Sequence, residues 1–151
     1  MIPLLLAFLF IQTEGWKDKL RNTFKKPWLL LYILYLAFIL VSTVFARSIT
    51  NPCKNVLEDF GVINNGRINR EFIENVLLFI PYSFLYLQAF KPKSPFKRTI
   101  AVSVVLTLFI EAAQLLLWVG NFQLSDLVHN VLGGLIGYGA WVIISWITVK
   151  D

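Results

Sequence analysis

Apolar and polar positions alternate along this chain in long blocks. Four apolar blocks, at 27–46, 71–90, 99–118 and about 125–149, each run for roughly twenty residues or more between polar connections. A hydrocarbon core about 30 Å thick takes roughly 20 helical residues to cross, so each block predicts a spanning α-helix. The block 27–46 carries no charge and opens on Pro27, tolerated where a helix begins because the missing N–H has no partner there anyway. Ser125, or Asp126, reads as the cap that begins the last helix. A fifth apolar run at 1–13 has no Lys or Arg before it, which argues against a secretory signal peptide. It is short for a span, and is expected either to cross tilted or to lie in the interface. The pattern thus predicts an all-α, polytopic membrane bundle of four helices over 27–149, with this N-terminal segment as a short fifth.

The connection 47–70 holds Asn51-Pro52, Gly61 and Asn64-Asn65-Gly66, all turn chemistry, and is expected to be irregular with a short helix at 56–60. Cys53 stands alone in it, so no intramolecular disulfide can form, and it reads as an ordinary loop thiol.

Composition agrees with the blocks: 57% of the residues are hydrophobic and 15% charged, too apolar a balance for a soluble domain. The net charge of +5 follows topology. Ten Lys and Arg lie in 14–26, 91–98 and the C-terminal tail, against four in 47–70 and 119–125. The positive-inside rule then makes the first set and the C-terminus cytoplasmic and places the loops 47–70 and 119–125 outside. Membrane lipid is the expected partner of these charges, and no case for nucleic acid arises.

Against this apolar background Asn75, Glu111, Gln114, Asp126, His129 and Asn130 are expensive, and each is a candidate functional residue. In the predicted orientation all lie toward the outer ends of their helices. At 100° per residue, Asp126, Asn130, Gly133 and Gly137 share one stripe, Thr107, Glu111, Gln114 and Trp118 a second, and Asn75, Phe79, Tyr82 and Tyr86 a third. The three stripes predict one outward-facing polar pocket. Gly133 and Gly137 form a small-xxx-small pair that admits a close neighbour, expected to be the helix bearing Glu111. Plainer roles compete: Asn75, Gln114 and Asn130 as interhelical hydrogen-bonding residues, Asp126 as a helix-dipole partner, His129 as a solvated interfacial side chain, and Glu74 as the partner of Arg70.

The series Asn75-x-x-x-Phe79-x-Pro81, Glu111-x-x-Gln114 and Asp126-x-x-x-Asn130-x-x-Gly133-x-x-x-Gly137 resembles the VanZ-like family, over about residues 47–146. That resemblance implies an all-helical protein of the bacterial envelope, associated in some members with reduced susceptibility to the lipoglycopeptide teicoplanin. It implies functional or packing importance for Asn75, Phe79, Pro81, Glu111, Gln114, Asp126, Asn130, Gly133 and Gly137. Two positions depart from the family pattern: Ser83 stands where a Gly is frequent, and Gly120-Asn121-Phe122 where a basic residue often precedes the Asp.

Three function classes follow. In the first, the outer pocket engages a lipid-linked cell-wall precursor or a lipoglycopeptide. In the second, the protein is an enzyme, with Glu111 as acid or base and Asp126 or His129 as its orienter, acting on a lipid-linked substrate; no nucleophile elbow, phosphate loop or close-spaced His cluster accompanies them. Glu111 with Asp126-x-x-His129 would hold a hard metal only if the helices bring them within coordination distance, and no metal or cofactor is expected. The third is a proton-coupled carrier, disfavoured because the inner halves of the helices read as almost wholly apolar. A small scaffold subunit is the plainest alternative, and tolerance of Glu111→Gln separates it from acid–base chemistry.

Overall fold

The computed structural model describes residues 27–46, 48–49, 63–64, 67–119 and 123–148. The segment 1–13, the loop 14–26, Cys53, the helix expected at 56–60 and Gly120-Asn121-Phe122 lie outside the described residues. The fold is all-helical apart from one minimal hairpin. In chain order come α1 (Pro27–Leu40), continued by a π-helical turn (Val41–Phe45), β1 (Ile63–Asn64), β2 (Arg67–Ile68), α2 (Arg70–Phe90), α3 (Pro95–Leu117) and α4 (Leu124–Thr148). Among the described residues four segments, Pro27–Phe45 and the helices α2, α3 and α4, are long and apolar enough to cross a membrane.

The helices alternate in direction. One end of the bundle collects Phe45, Arg70, Leu117 and Leu124 with the hairpin, and is called here the hairpin end. The other collects Pro27, Phe90, Pro95 and Thr148 with the basic residues Lys91, Lys93, Lys97 and Arg98, and is called the basic end. A bridge between Ile49 and Val119 ties the two connections at the hairpin end. The strands pair Ile63 with Ile68 and Asn64 with Arg67, flanking the Asn65-Gly66 pair that favours such two-residue connections.

Helix ends follow local chemistry. Asn69 caps α2, its side chain accepting from the Glu71 amide at 3.0 Å. Helix α3 starts at Pro95, four residues before the apolar block, because proline suits a first turn whatever the polarity behind it. Helix α4 begins at Leu124, so Ser125 and Asp126 are first-turn residues and neither is the cap.

The most extensive packing joins α2 and α4, which run parallel. A Cβ at Gly133 would overlap the carbonyl oxygen of Val76, and one at Gly137 the carbonyl of Ile80. The glycine stripe therefore admits α2, and not the Glu111 helix as its spacing suggested. Helix α3 instead reaches α4 at Gly134, where Ser103 and Ser83 close in. Pro81 lies within α2 beside Ile80, and the helix continues through it to Phe90.

Helix α1 is attached differently. The Tyr32 ring packs within 5.5–6.0 Å of Tyr82, Tyr86 and Phe90, and Trp28 lies 6.4 Å from Phe84. The Tyr35 hydroxyl donates to the Leu78 carbonyl at 3.0 Å. Ile39 is the fully buried anchor, joining Phe79, Tyr82, Leu106 and Ile110 in the apolar core.

The polar content of the interior is greater than the apolar blocks suggested. Thr99, Ser103, Thr107 and Glu111 follow one another at four-residue spacing on α3, all buried, with Ser83 of α2 buried as well. This stripe extends well toward the basic end, so the inner half of the bundle is not wholly apolar as expected. Of these hydroxyl residues only Thr107 belongs to a stripe predicted above; Thr99, Ser103 and Ser83 are nearly neutral in hydropathy and do not interrupt an apolar block, while the common face on α3 is set by helical period.

Candidate polar site at the hairpin end

The site is built where α3 ends, α4 begins and α1 turns. Glu111 is 4% exposed, about two turns before the end of α3. The backbone amide of Gln123, at the entrance to α4, donates to Glu111 Oε2 at 3.1 Å. A carboxyl at a helix N-terminus interacts favourably with the positive end of the dipole, and the amide has no intrahelical acceptor of its own. Gln123, Ser125 and Asp126 are buried with it, so the entrance to α4 is sunk in the bundle. Ser125 Oγ lies 3.4 Å from Gln123 Oε1, and the Asp126 amide donates to the Gln123 carbonyl at 3.2 Å.

One turn beyond Glu111, Gln114 links α3 to α1: its Nε2 donates to the Thr43 carbonyl at 2.8 Å. Thr43 belongs to the π-helical turn, where the Ala46 amide donates to the Val41 carbonyl at 2.9 Å. That five-residue spacing disturbs the regular ladder, which lets a side chain reach a main-chain carbonyl. The Gln114 carbonyl accepts from the Val119 amide at 3.0 Å as α3 closes. Closure puts Trp118 in the left-handed conformation, φ 55°, and turns it outward at 59% exposed. It therefore leaves the stripe it was assigned to with Thr107, Glu111 and Gln114.

One turn toward the basic end, Asn130 Nδ2 donates to Thr107 Oγ1 at 3.1 Å, and that hydroxyl donates to the Ser103 carbonyl at 2.9 Å. Glu111 and Asn130 thus share the α3–α4 seam.

The remaining candidates go elsewhere. His129 is buried on the α2 side, its ring edge-on to Phe72 at 4.9 Å, and so is not solvated at the interface. Glu74 pairs with Arg70 at 2.5 Å at the surface. Asn75 faces α1, at a cavity of about 410 Å³ between α1 and α2. Toward the hairpin end its lining is Ser42, Thr43, Glu74 and Asn75; toward the basic end it is Tyr35, Phe38, Leu77 and Leu78. The six candidates form a packed cluster around Glu111, a separate histidine contact and a groove around Asn75, with Thr43 shared between groove and cluster.

Asn75 Nδ2, Gln114 Oε1, His129 Nδ1 and Asn130 Oδ1 make no hydrogen bond among the described residues, leaving polar capacity along this end. Among those residues no three of His, Cys, Asp and Glu come together as a metal centre. Sequence reasoning missed Thr43 and Gln123. Both act through backbone atoms, which carry no sequence signal.

Comparison with known proteins gives this arrangement a family. Protein VanZ of Enterococcus faecium is 31% identical over 110 residues, covering 73% of this chain and 62% of that relative. This chain thus matches less than two thirds of that protein's length. No solved structure matches. The VanZ/LLP1 family model matches residues 4–145, extending toward the N-terminus well beyond the segment that carries the motifs. With nearly its whole length matched by that model, this multi-pass membrane protein belongs to the VanZ/LLP1 family.

Proposed function

We propose that this protein is a VanZ-type component of the bacterial envelope that lowers susceptibility to teicoplanin, with its hairpin end facing outside. In this reading the α1–α2 groove takes the lipid portion of an amphiphile, either a lipoglycopeptide or a lipid-linked cell-wall precursor. The observation that carries it is the graded lining of the 410 Å³ cavity, polar at Thr43 and Asn75 toward the hairpin end and apolar along Phe38, Leu77 and Leu78 toward the basic end. Amphiphile sites join an apolar lining to a few polar groups in this way. The excess of Lys and Arg at the basic end supports the orientation, and the family match supports the biological role.

In this reading Glu111 anchors the entrance of α4 and Asp126 accompanies it. The Gln123 amide on Glu111 Oε2 favours that role over acid–base catalysis, since the carboxyl is engaged by the fold itself.

The test is teicoplanin susceptibility, with vancomycin for comparison, of a susceptible Gram-positive host expressing wild type, Asn75→Leu or Glu111→Gln at matched membrane levels. Wild type is expected to raise teicoplanin tolerance, Asn75→Leu to abolish the gain and Glu111→Gln to keep most of it. Full protection by Asn75→Leu removes the groove from the mechanism. Absence of protection by the wild type overturns the functional reading for this protein.

A further inference from the structure

A second groove lies toward the basic end, on the other flank of α1. Helix α3 meets the first membrane segment mainly through the π-helical turn near the hairpin end, and toward the basic end the two diverge. The wedge between them has a volume of about 430 Å³. Leu36 of α1 and Val105 and Phe109 of α3 form its walls, Tyr82 of α2 lies behind, and Tyr32 and Arg98 stand nearer the basic end.

Length and charge identify an occupant. Arg98 and Phe109 are eleven residues apart on one helix, about 16 Å at 1.5 Å per residue, which is about half of a 30 Å hydrocarbon core. The groove is therefore one leaflet deep. Arg98 is exposed and makes no ion pair among the described residues. Lys97 stands beside it in the first turn of α3, Lys91 and Lys93 lie just before that helix, and no Asp or Glu occurs from Asn75 to Ile110. An apolar slot of acyl-chain length ending in clustered positive charge is complementary to a lipid whose headgroup is an anion.

We propose that this wedge binds one anionic phospholipid, with an acyl chain along Val105 and Phe109 and the phosphate on the Arg98 guanidinium. Its headgroup end is at the opposite end of the bundle from the polar cluster, and the site does not depend on the function proposed above. Lipid held there fills the gap that α1 leaves against α3, so it also fastens α1 to the bundle.

The experiment is native mass spectrometry of the full chain released from nanodiscs containing equal amounts of phosphatidylglycerol and phosphatidylcholine. The variants are Arg98→Gln, Val105→Trp and Lys93→Gln. Val105 is 67% exposed, so a larger side chain fills the groove without entering the core. Wild type is expected to retain phosphatidylglycerol in preference to phosphatidylcholine. Arg98→Gln should lower that preference about five-fold, the change corresponding to about 1 kcal/mol for one basic residue near the surface. Val105→Trp should reduce retention of both lipids, and Lys93→Gln should change the preference less than Arg98→Gln does. A preference unchanged by Arg98→Gln, or retention unchanged by Val105→Trp, overturns the site; the second result would assign the groove to the chain's own N-terminal segment or the retained lipid to the general surface.

Discussion

The α2–α4 seam and the attachment of α1 are two solutions to helix association in lipid. Along the first, Gly133 and Gly137 let two parallel helices approach until backbone meets side-chain-free backbone. Along the second, Trp28 and Tyr32 hold α1 at the distance of edge-on and tilted ring contacts, and Tyr35 adds a hydroxyl bond. Lipid tails are as apolar as Leu, so neither seam gains from hydrophobic burial as it would in water. Close packing and polar contacts decide instead. The glycine seam is tight. Beside α1 the bulky rings leave two grooves, of about 410 and 430 Å³. Among the described residues, open grooves of this kind flank the helix that is held by rings rather than by small residues.

Breaking the tight seam should have the largest effect. Gly137→Leu would drive a side chain into the carbonyl of Ile80, and backbone cannot rotate aside as a side chain can. Overpacking in cores typically costs 1–3 kcal/mol, and here a loss of about 3 kcal/mol or more is expected. Titration from mild detergent into dodecyl sulfate should show little folded protein. A variant as stable as wild type would mean that α2 and α4 are not in this register.

How much of this could be read beforehand differs between the two regions. The four spans were readable because the bilayer fixes their length and excludes charge, and the stripes of α3 and α4 because helical period fixes their face. Period does not name the neighbour, however, and Gly133 turned out to meet Val76 of α2. Trp118 left its stripe because phase is lost once the chain enters a left-handed cap. His129 read as interfacial because the covering ring, Phe72, comes from another helix. The contact that ties α1 to the polar cluster runs from Gln114 to a backbone carbonyl, and any residue at position 43 would present one.

That contact makes the next prediction. Gln114→Leu removes the donor to the Thr43 carbonyl inside the π-helical turn, leaving a buried acceptor without its side-chain partner. A cost of about 1–2 kcal/mol is expected in the same titration, together with loosening of α1 seen as faster proteolysis of the connection after Phe45. Gln114→Glu replaces the donor by an acceptor and should be no better. Equal stability of wild type and Gln114→Leu would show that the rings alone hold α1.

On the tight side, the pair Asn130 and Thr107 offers a smaller and cleaner measurement. A double-mutant cycle with Asn130→Leu and Thr107→Val should return a coupling of about 0.6 kcal/mol, since interhelical hydrogen bonds in membranes average that and seldom exceed 1.7. Additive effects would mean that Asn130 holds another partner.

Tyr35→Phe should have the smallest effect. The substitution keeps the ring beside Phe38 and deletes only the hydroxyl that donates to the Leu78 carbonyl. That carbonyl lies one residue past Leu77, whose own carbonyl has no α-helical donor because residue 81 is proline, so Tyr35 reinforces α2 where its ladder is weakest. Tyr35 is only half-buried, and lipid headgroups or water at the groove can replace part of the lost bond. A loss of about 0.5 kcal/mol is therefore expected, at the bottom of the roughly 0.5–1.5 kcal/mol an aromatic pair such as Trp28 with Phe84 contributes beyond its buried area. A larger loss from Tyr35→Phe than from Trp28→Leu would reverse the ranking, making α1 a helix docked by a main-chain bond beside Pro81, with its rings only covering that bond.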